Sequence, residues 1–274
     1  MRARVLAAIV AVVAVLPVAA HATNGSHSVR AASRQSRTSD VAIAGASIFL
    51  WSSHGREGKG NGCTLAFSVR SVRTGSRGAL TAGHCVAMLD GGPAYRVHQT
   101  RSLPPDGTAP GDRLGKVTRT KFVLGPQGDS AYVALRAGRT ARPLLFTGGA
   151  DSRSAIPVAG VKSPRTGMQI CYSGAATGEH CGFTVRGGSQ TVSFKSGHDR
   201  VTIGHEWHAD GAACTSRKGD SGSPVYTYDG GVAYAVGILS GGQVRPGRCP
   251  FYFTPVRAAL REFGLTLLSS RATR

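Results

Sequence analysis

Residues 217–226 read RKGDSGSPVY. An acid and two hydroxyls are crowded into a glycine-bounded turn, and an apolar Pro-Val-Tyr follows at once. Glycine, serine and aspartate make ordinary turns, so a bland loop is one reading. The other is a serine held out on a backbone kink, where it can attack an electrophile. The surrounding sequence decides between them, and the fold reading follows from that decision.

A serine nucleophile needs a base to take its proton, an acid to fix the base's tautomer, and donors to hold the oxyanion. The chain offers one candidate for each role at a turn-like strand end. In TAGHC (81–85), a small Ala-Gly pair precedes His84, and Cys85 follows it. A disulfide at Cys85 would pin the imidazole's backbone. In GDSAYVAL (128–135), Asp129 opens an alternating strand. A turn-capping aspartate is the ordinary reading of that position taken alone. In KGDSGSP (218–224), Ser221 lies between Gly219 and Gly222. Gly219 lets the backbone turn so that its N–H and that of Ser221 aim at one spot. The esterase elbow G-x-S-x-G is not met, because position 223 is serine, and its Ser–acid–His order is reversed here.

The 274 residues suffice for one large all-β unit or two small domains, and a 41% hydrophobic content excludes global disorder. The 38 glycines are spread along the chain, which suits short strands joined by tight turns. VAIAGASIFLW (41–51), CTLAFSV (63–69), MQICY (168–172), TVSFK (191–195) and VAYAVGILS (232–240) are strand-length apolar runs. RVTIGHEWH (200–208) places Val201, Ile203, His205 and Trp207 on one face. Only PVRAALREFGL (255–265) has helical spacing, with Val256, Leu260 and Phe263 on one stripe after Pro255. The class is therefore all-β with a C-terminal helix. RSLPPDGTAPG (101–111) reads as an exposed insertion.

Residues 1–22 have the form of a cleavable secretory signal. Arg2 and Arg4 precede an apolar run, and Ala20-His21-Ala22 ends it. Residues 23–40, polar and rich in Ser and Arg, read as a flexible leader or short pro-segment. Export makes three disulfides the expectation for six cysteines, with 15 possible pairings. Spacing favours Cys171 with Cys181 and Cys214 with Cys249, which leaves Cys63 with Cys85. No C-x-x-C occurs, H-E-x-x-H is absent, and His205 and His208 of HEWH point to opposite faces of a strand. No metal or other cofactor is expected. The net charge of +19 falls to +17 once Arg2 and Arg4 are removed. The charges are scattered, with no basic run or aromatic-interleaved patch, so they read as a solvated surface rather than a nucleic-acid site.

TAGHC, GDSAYVAL and GDSGSP, in the order His, Asp, Ser, resemble the three signatures of the chymotrypsin-like serine peptidases. CYSGAATGEHCG (171–182) and ILSGGQVRPGRCPFYFTPV (238–256) resemble the bacterial streptogrisin and alpha-lytic protease branch. The likeness covers roughly residues 43–265. It implies two six-stranded antiparallel β-barrels, at 41–140 and 141–274, with the site between them. It implies His84 as general base and then acid, Asp129 as its orienting partner, and Ser221 as the residue that forms the acyl-enzyme. Gly219 and Ser221 would donate the oxyanion N–H groups. Ser240, Gly241 and Gly242 would pair with an extended substrate backbone. The family's disulfides are those the spacing favours. The implied protein is a secreted, monomeric serine endopeptidase. Its partners are polypeptide substrates and protein inhibitors, with no specific nucleic acid and no membrane contact after signal cleavage. A catalytically silent relative that binds polyanions is the alternative.

The chain departs from the family at three places. Position 223 is Ser rather than Gly. Tyr172 stands where relatives carry an arginine that holds the Asp before the nucleophile, so Tyr172 or a nearby arginine is expected to hold Asp220. Position 212, where a trypsin-like pocket would carry its acid, is alanine, and Asp210 is out of register. An apolar or medium-sized residue before the cut is expected, although Arg217 and Lys218 leave an acidic side chain open.

Overall fold

The computed structural model describes residues 37, 39–52, 60–87, 95–100, 110–122, 128–196, 199–242 and 248–270. The signal-like segment at 1–22, most of the leader at 23–40 and residues 101–109 of the expected insertion lie outside the described residues. In chain order the strands are β1 (Val41–Ala44), β2 (Ser47–Ser52), β3 (Gly60–Thr64), β4 (Ser68–Ser71), β5 (Arg77–Thr81), β6 (Tyr95–Thr100), β7 (Pro110–Lys121), β8 (Ser130–Leu135) and β9 (Thr140–Phe146). They continue as β10 (Ala155–Val161), β11 (Gln169–Gly174), β12 (Gly178–Ser196), β13 (Asp199–Gly211), β14 (Pro224–Asp229), β15 (Val232–Gly242), β16 (Cys249–Pro255) and β17 (Leu265–Leu267). Two helices are present among the described residues, a single turn α1 (His84–Ala87) and α2 (Val256–Phe263).

The strands form two sheets. The first runs β17-β4-β5-β8-β7-β6-β2-β3. The second runs β1-β9-β10-β15-β14-β11-β12-β13-β16, and an added β15–β16 pairing closes six of its strands into a ring. Strands β10, β9 and β1 extend from that ring as a tail. The sheets hold eight and nine strands: β17 is an end strand of the first, and the tail of β10, β9 and β1 adds three to the second's ring of six. β1 pairs with β9, and β17 returns to pair with β4.

The apolar runs read from the sequence supply the cores. Ile48, Leu50, Leu65, Phe67, Val69 and Leu80 are buried in a cluster that also takes in Leu145, Val158, Tyr226 and Ile238 of the second sheet. In the second sheet, Tyr172, Phe183, Phe251 and Phe253 pack as an aromatic group, with Phe183 and Phe251 edge-to-face at 4.8 Å between ring centres. Such pairs add about 0.5–1.5 kcal/mol beyond their area burial. Helix α2 buries Val256, Ala259, Leu260 and Phe263. Pro255 begins it, and Gly264, at φ 59°, ends it in the left-handed conformation that glycine adopts most freely.

All six cysteines are paired, as Cys63–Cys85, Cys171–Cys181 and Cys214–Cys249. The first bridge spans 22 residues and ties β3 to the turn that carries His84. Replacing both Cys63 and Cys85 with alanine is expected to lower unfolding stability by roughly 3 kcal/mol, the loop-closure value for that span. Denaturant titration of the two proteins measures it, and equal midpoints would contradict it.

Candidate active site

Thr81 at the end of β5 pairs with Ala131 near the start of β8. The segments that leave those strands therefore run side by side, which brings His84 against Asp129. Gly83 is glycine because of that closeness: a Cβ there would stand 2.6 Å from the Lys121 carbonyl oxygen and 2.8 Å from Phe122. His84 donates its backbone N–H to Asp129 Oδ1 at 2.7 Å, and its ring Nδ1 is 2.6 Å from Asp129 Oδ2. Asp129 is fully buried, and His84 is nearly so. Burial alone would push the His84 ring's pKa down. The Asp129 charge and the hydrogen bond to it outweigh burial, and the ring ends above its usual value of 6.5.

The second sheet reaches the same pair from behind. The Asp129 N–H donates to Thr254 Oγ1 of β16 at 2.7 Å. Residue 129 is thus gripped by His84 through its side chain and by Thr254 through its backbone.

Ser221 lies in the turn before β14. Its carbonyl accepts the Thr64 N–H at 2.8 Å and lies 3.8 Å from the Cys85 sulfur. Those two contacts seat the turn beside the Cys63–Cys85 bridge, one residue from His84. Ser221 Oγ has no hydrogen-bond partner among the described residues, and none joins it to the imidazole. Such contacts are often long until a substrate draws them closed. Gly219 and Gly222 both adopt positive φ, 99° and 84°. A Cβ on Gly222 would also meet Thr81 Oγ1 at 2.3 Å. The turn's geometry therefore demands both glycines. The N–H groups of Gly219 and Ser221 have no partner among the described residues, whereas Asp220, Gly222 and Ser223 spend theirs on carbonyls of the protein.

Asp220 does not meet its expected partner. Neither Tyr172 nor an arginine side chain holds it. Its carboxylate accepts from the N–H groups of Ala176 (3.0 Å), Thr177 (3.1 Å) and Arg217 (2.9 Å) and from Thr177 Oγ1 (2.8 Å). Burial pushes the Asp220 carboxyl's pKa up, and these donors pull against it. The Tyr172 hydroxyl instead shares a hydrogen bond with Thr215 Oγ1 at 2.7 Å. Ser223 fits the turn because its hydroxyl is spent inside it, donating to the Asp220 carbonyl at 2.5 Å.

Arg37 was not singled out by the sequence reading. It sits in a patternless polar stretch, yet it is completely buried. Its guanidinium donates to Ser173 Oγ (2.7 Å) and to the carbonyls of Gly174 (3.1 Å), Gly148 (2.7 Å) and Gly149 (3.1 Å). Gly174 abuts Asp220: a Cβ on that glycine would lie 2.0 Å from Oδ1. Arg37 therefore braces the backbone behind the Asp220 carboxylate without touching it.

The remaining sequence candidates are distributed as follows. Ser240 is buried, and Gly241 and Gly242 close β15. A small cavity of about 70 Å³ lies beyond them, lined by Tyr172, Phe183, Ala213, Ser216 and Phe251 among others. Asp210 is engaged by Arg248 at 2.5 Å and Arg186 at 3.6 Å. His205 is exposed and leaves the expected inward face, because its φ of 57° turns the strand locally. Its Nδ1 lies 3.2 Å from Ser189 Oγ, whereas His208 Nδ1 lies 3.0 Å from Gln190 Nε2. Each ring thus contacts a different side chain. Among the described residues no group of three His, Cys, Asp or Glu side chains could hold a metal.

Residues 55–261 match the trypsin family model. The chain belongs to the trypsin family. It is similar to Streptogrisin-C of Streptomyces griseus, with 32% identity over 212 residues, covering 76% of this chain and 38% of that protein. It is also similar to Serine protease 1 of Rarobacter faecitabidus, at 28% identity over 77% of this chain and 34% of that one. The matched region thus spans well under two-thirds of either curated relative. Among solved structures, Thermobifida fusca Protease A superposes with a TM-score of 0.60 at 27% identity, over 84% of this chain and 100% of that one. These likenesses and the two-sheet architecture place the chain among the chymotrypsin-like bacterial members of this family.

Replacing Arg37 with alanine empties a buried site and leaves the buried Gly174 carbonyl and Ser173 hydroxyl oxygen without that donor. The expected loss is roughly 2–4 kcal/mol of unfolding stability, since orphaned buried groups cost about 1–3 kcal/mol apiece and partial relaxation recovers some of it. Thermal or denaturant unfolding reads this directly, and a loss below about 0.5 kcal/mol, the usual surface value, would show the brace to be idle.

Proposed function

We propose that this trypsin-family protein is a secreted serine endopeptidase that works through an acyl-enzyme, with residues 1–22 as the export signal. The observation that carries the reading is the buried, doubly bonded His84–Asp129 pair beside the Ser221 turn. In this reading Ser221 Oγ attacks the scissile carbonyl carbon, and His84 Nε2 takes its proton. Asp129 keeps the Nδ1–H tautomer in place and stabilises the imidazolium. The negative charge moves to the carbonyl oxygen, where the Gly219 and Ser221 N–H groups receive it. The C–N bond then breaks, and the leaving amine takes the proton back from His84. Water, deprotonated by the same imidazole, cleaves the ester and restores Ser221. Protein inhibitors that present an extended strand would compete at the same place.

In this reading substrate recognition uses the edge of β15 that no described strand covers. β14 pairs with β15 only as far as Ile238, while β16 covers the opposite edge at Gly241 and Gly242. An extended peptide can add itself along residues 240–242. The 70 Å³ cavity next to Gly242 has aromatic walls and no acid among its lining residues, and Asp210, the acid the sequence placed near it, is paired with Arg248 and Arg186. A small or medium apolar residue before the cut suits it.

A fluorophosphonate should label the wild type but not Ser221→Ala, and peptide hydrolysis should vanish with the label. A folded wild type that takes no label would return the protein to the class of silent, polyanion-binding relatives. Asp129→Asn, which disturbs the tautomer while keeping the shape, should lower kcat by about 10⁴.

The raised His84 pKa also sets a pH dependence. The base works as neutral imidazole, so activity falls when pH drops through the ring's folded-state pKa. Because Asp129 raises that value, the acid limb of kcat/KM should have its midpoint above 6.5. A midpoint below that value would mean the carboxylate does not act on the ring.

A further inference from the structure

A second carboxyl stands behind the His84–Asp129 pair. Glu206, on β13, is completely buried. Trp207 pairs with Phe253 across the β13–β16 ladder. Glu206 and Thr254 are the next residues along, and they share the opposite face of the sheet, where the Asp129 segment covers them. Thr254 Oγ1 is 2.6 Å from Glu206 Oε1, and the same hydroxyl oxygen accepts the Asp129 N–H. The other carboxyl oxygen, Glu206 Oε2, is buried without a hydrogen-bond partner, and so is Ser240 Oγ close to it.

We infer that Glu206 is a positioning residue for the His84–Asp129 pair: a neutral carboxylic acid that fixes the Thr254 hydroxyl and, through it, the backbone of Asp129. This rests on the peptidase reading given above and adds to it a residue that touches neither substrate nor reacting atoms.

Burial and the neighbouring Asp129 carboxylate favour the neutral form, and the hydrogen-bond inventory accommodates it. The Asp129 N–H occupies one lone pair of the Thr254 hydroxyl, and that hydroxyl's own proton goes to Oε1. A proton on Oε2 then faces the unpartnered oxygen of Ser240, and a small rotation of either group would join them. An ionised Glu206 could take the Ser240 proton, but it would put a second negative charge beside Asp129 with no water to screen it, and two carboxylates so close in a buried site do not both hold charge readily. The groups around it provide no compensating cation. The loop at 128–129 presents Asp129, β16 presents Thr254, β15 presents Ser240, and β12 presents Gln190 in register with Glu206. Asp129 is the charged group among those acting on the carboxyl. His84 lies on the far side of Asp129. The cations Arg257 and Arg261 line an outer cleft with exposed His205 and approach only the Thr254 side of the cluster. Burial first, and the Asp129 charge second, accordingly push the Glu206 carboxyl well above the usual carboxylate range, with only Thr254 and Ser240 pulling the other way.

The test compares Glu206→Ala, Glu206→Leu and Glu206→Gln with the wild type. It reads kcat and KM on one peptide substrate, and the His84 pKa by NMR titration of the resting protein. Leucine fills the space if alanine fails to fold. Without the carboxyl, Asp129 sits less firmly. Alanine and leucine should therefore lose about ten- to a hundredfold in kcat at unchanged KM, as small misplacements do. They should also lower the His84 pKa. Glutamine, a neutral isostere, should recover most of the lost kcat and return the His84 pKa to the wild-type value. Glutamine as damaging as alanine would mean that Glu206 acts by charge, and a folded leucine variant with wild-type kcat and His84 pKa would mean that it positions nothing; either result overturns the inference. A wild type that hydrolyses no peptide removes the peptidase reading, and the His84 titration then decides the role of Glu206 alone, on the same criteria.

Discussion

His84 and Asp129 meet twice, through the backbone N–H and through the ring, and the carboxylate that receives both donors is shut away from water. A charge in that position is tolerable only while both donors stay in place. Much of the neighbouring architecture serves this contact. The β5–β8 ladder sets the two loops side by side, and Gly83 leaves room for them to touch. The Cys63–Cys85 bridge anchors the turn next to the imidazole, and Thr254 arrives from the other sheet to hold residue 129 by its backbone. A pair fixed from so many directions has little freedom to reorient, and a base of fixed aim needs that restraint.

The Ser221 turn is built on a different principle. Its acid, Asp220, is stabilised by three amides and a threonine hydroxyl rather than by a cation. Converging dipoles can stand in for a salt bridge, and here they offset part of what burial does to the carboxyl, whose pKa still ends above its usual value. Arg37 belongs to the same arrangement one layer further out, where it holds the Gly174 carbonyl, two residues before the Ala176 amide, to the turn at Gly148 and Gly149. Its own partners are hydroxyl and carbonyl oxygens, and burial lowers its pKa.

Much of this was legible in the sequence because it is local. The three motifs each combine a reactive residue with the small neighbours its turn requires, and Pro255 and Gly264 bracket α2 at the ends its spacing predicts. The strand-length runs indicated the all-β class, the family resemblance implied the two-unit architecture, and cysteine spacing favoured the pairings. What escaped is non-local. Nothing around Arg37 marks it as a core residue, since its burial depends on loops more than a hundred positions away. Glu206 lies between His205 and Trp207 on the face that strand alternation assigns to solvent, and only the segment from the other sheet makes that face an interior. The partners of Asp220 come from residues 176, 177 and 217, whose relation to the turn is set by how β11, β12 and β14 assemble. The nine-strand count reflects the tail of β1, β9 and β10 beside the ring of six, and the end strands β1 and β17, at four and three residues, are too short to show a period.

Those short segments carry a mechanical implication. The leading strand β1 is stitched into the sheet built mainly from the second half of the chain, and the trailing strand β17 is stitched into the sheet built from the first. Each half thus closes over a piece donated by the other, like two hands with interlocked fingers. Neither can melt while the other stays whole, because pulling out either end opens a seam in the opposite half. Loss of structure in this molecule should therefore be abrupt and shared.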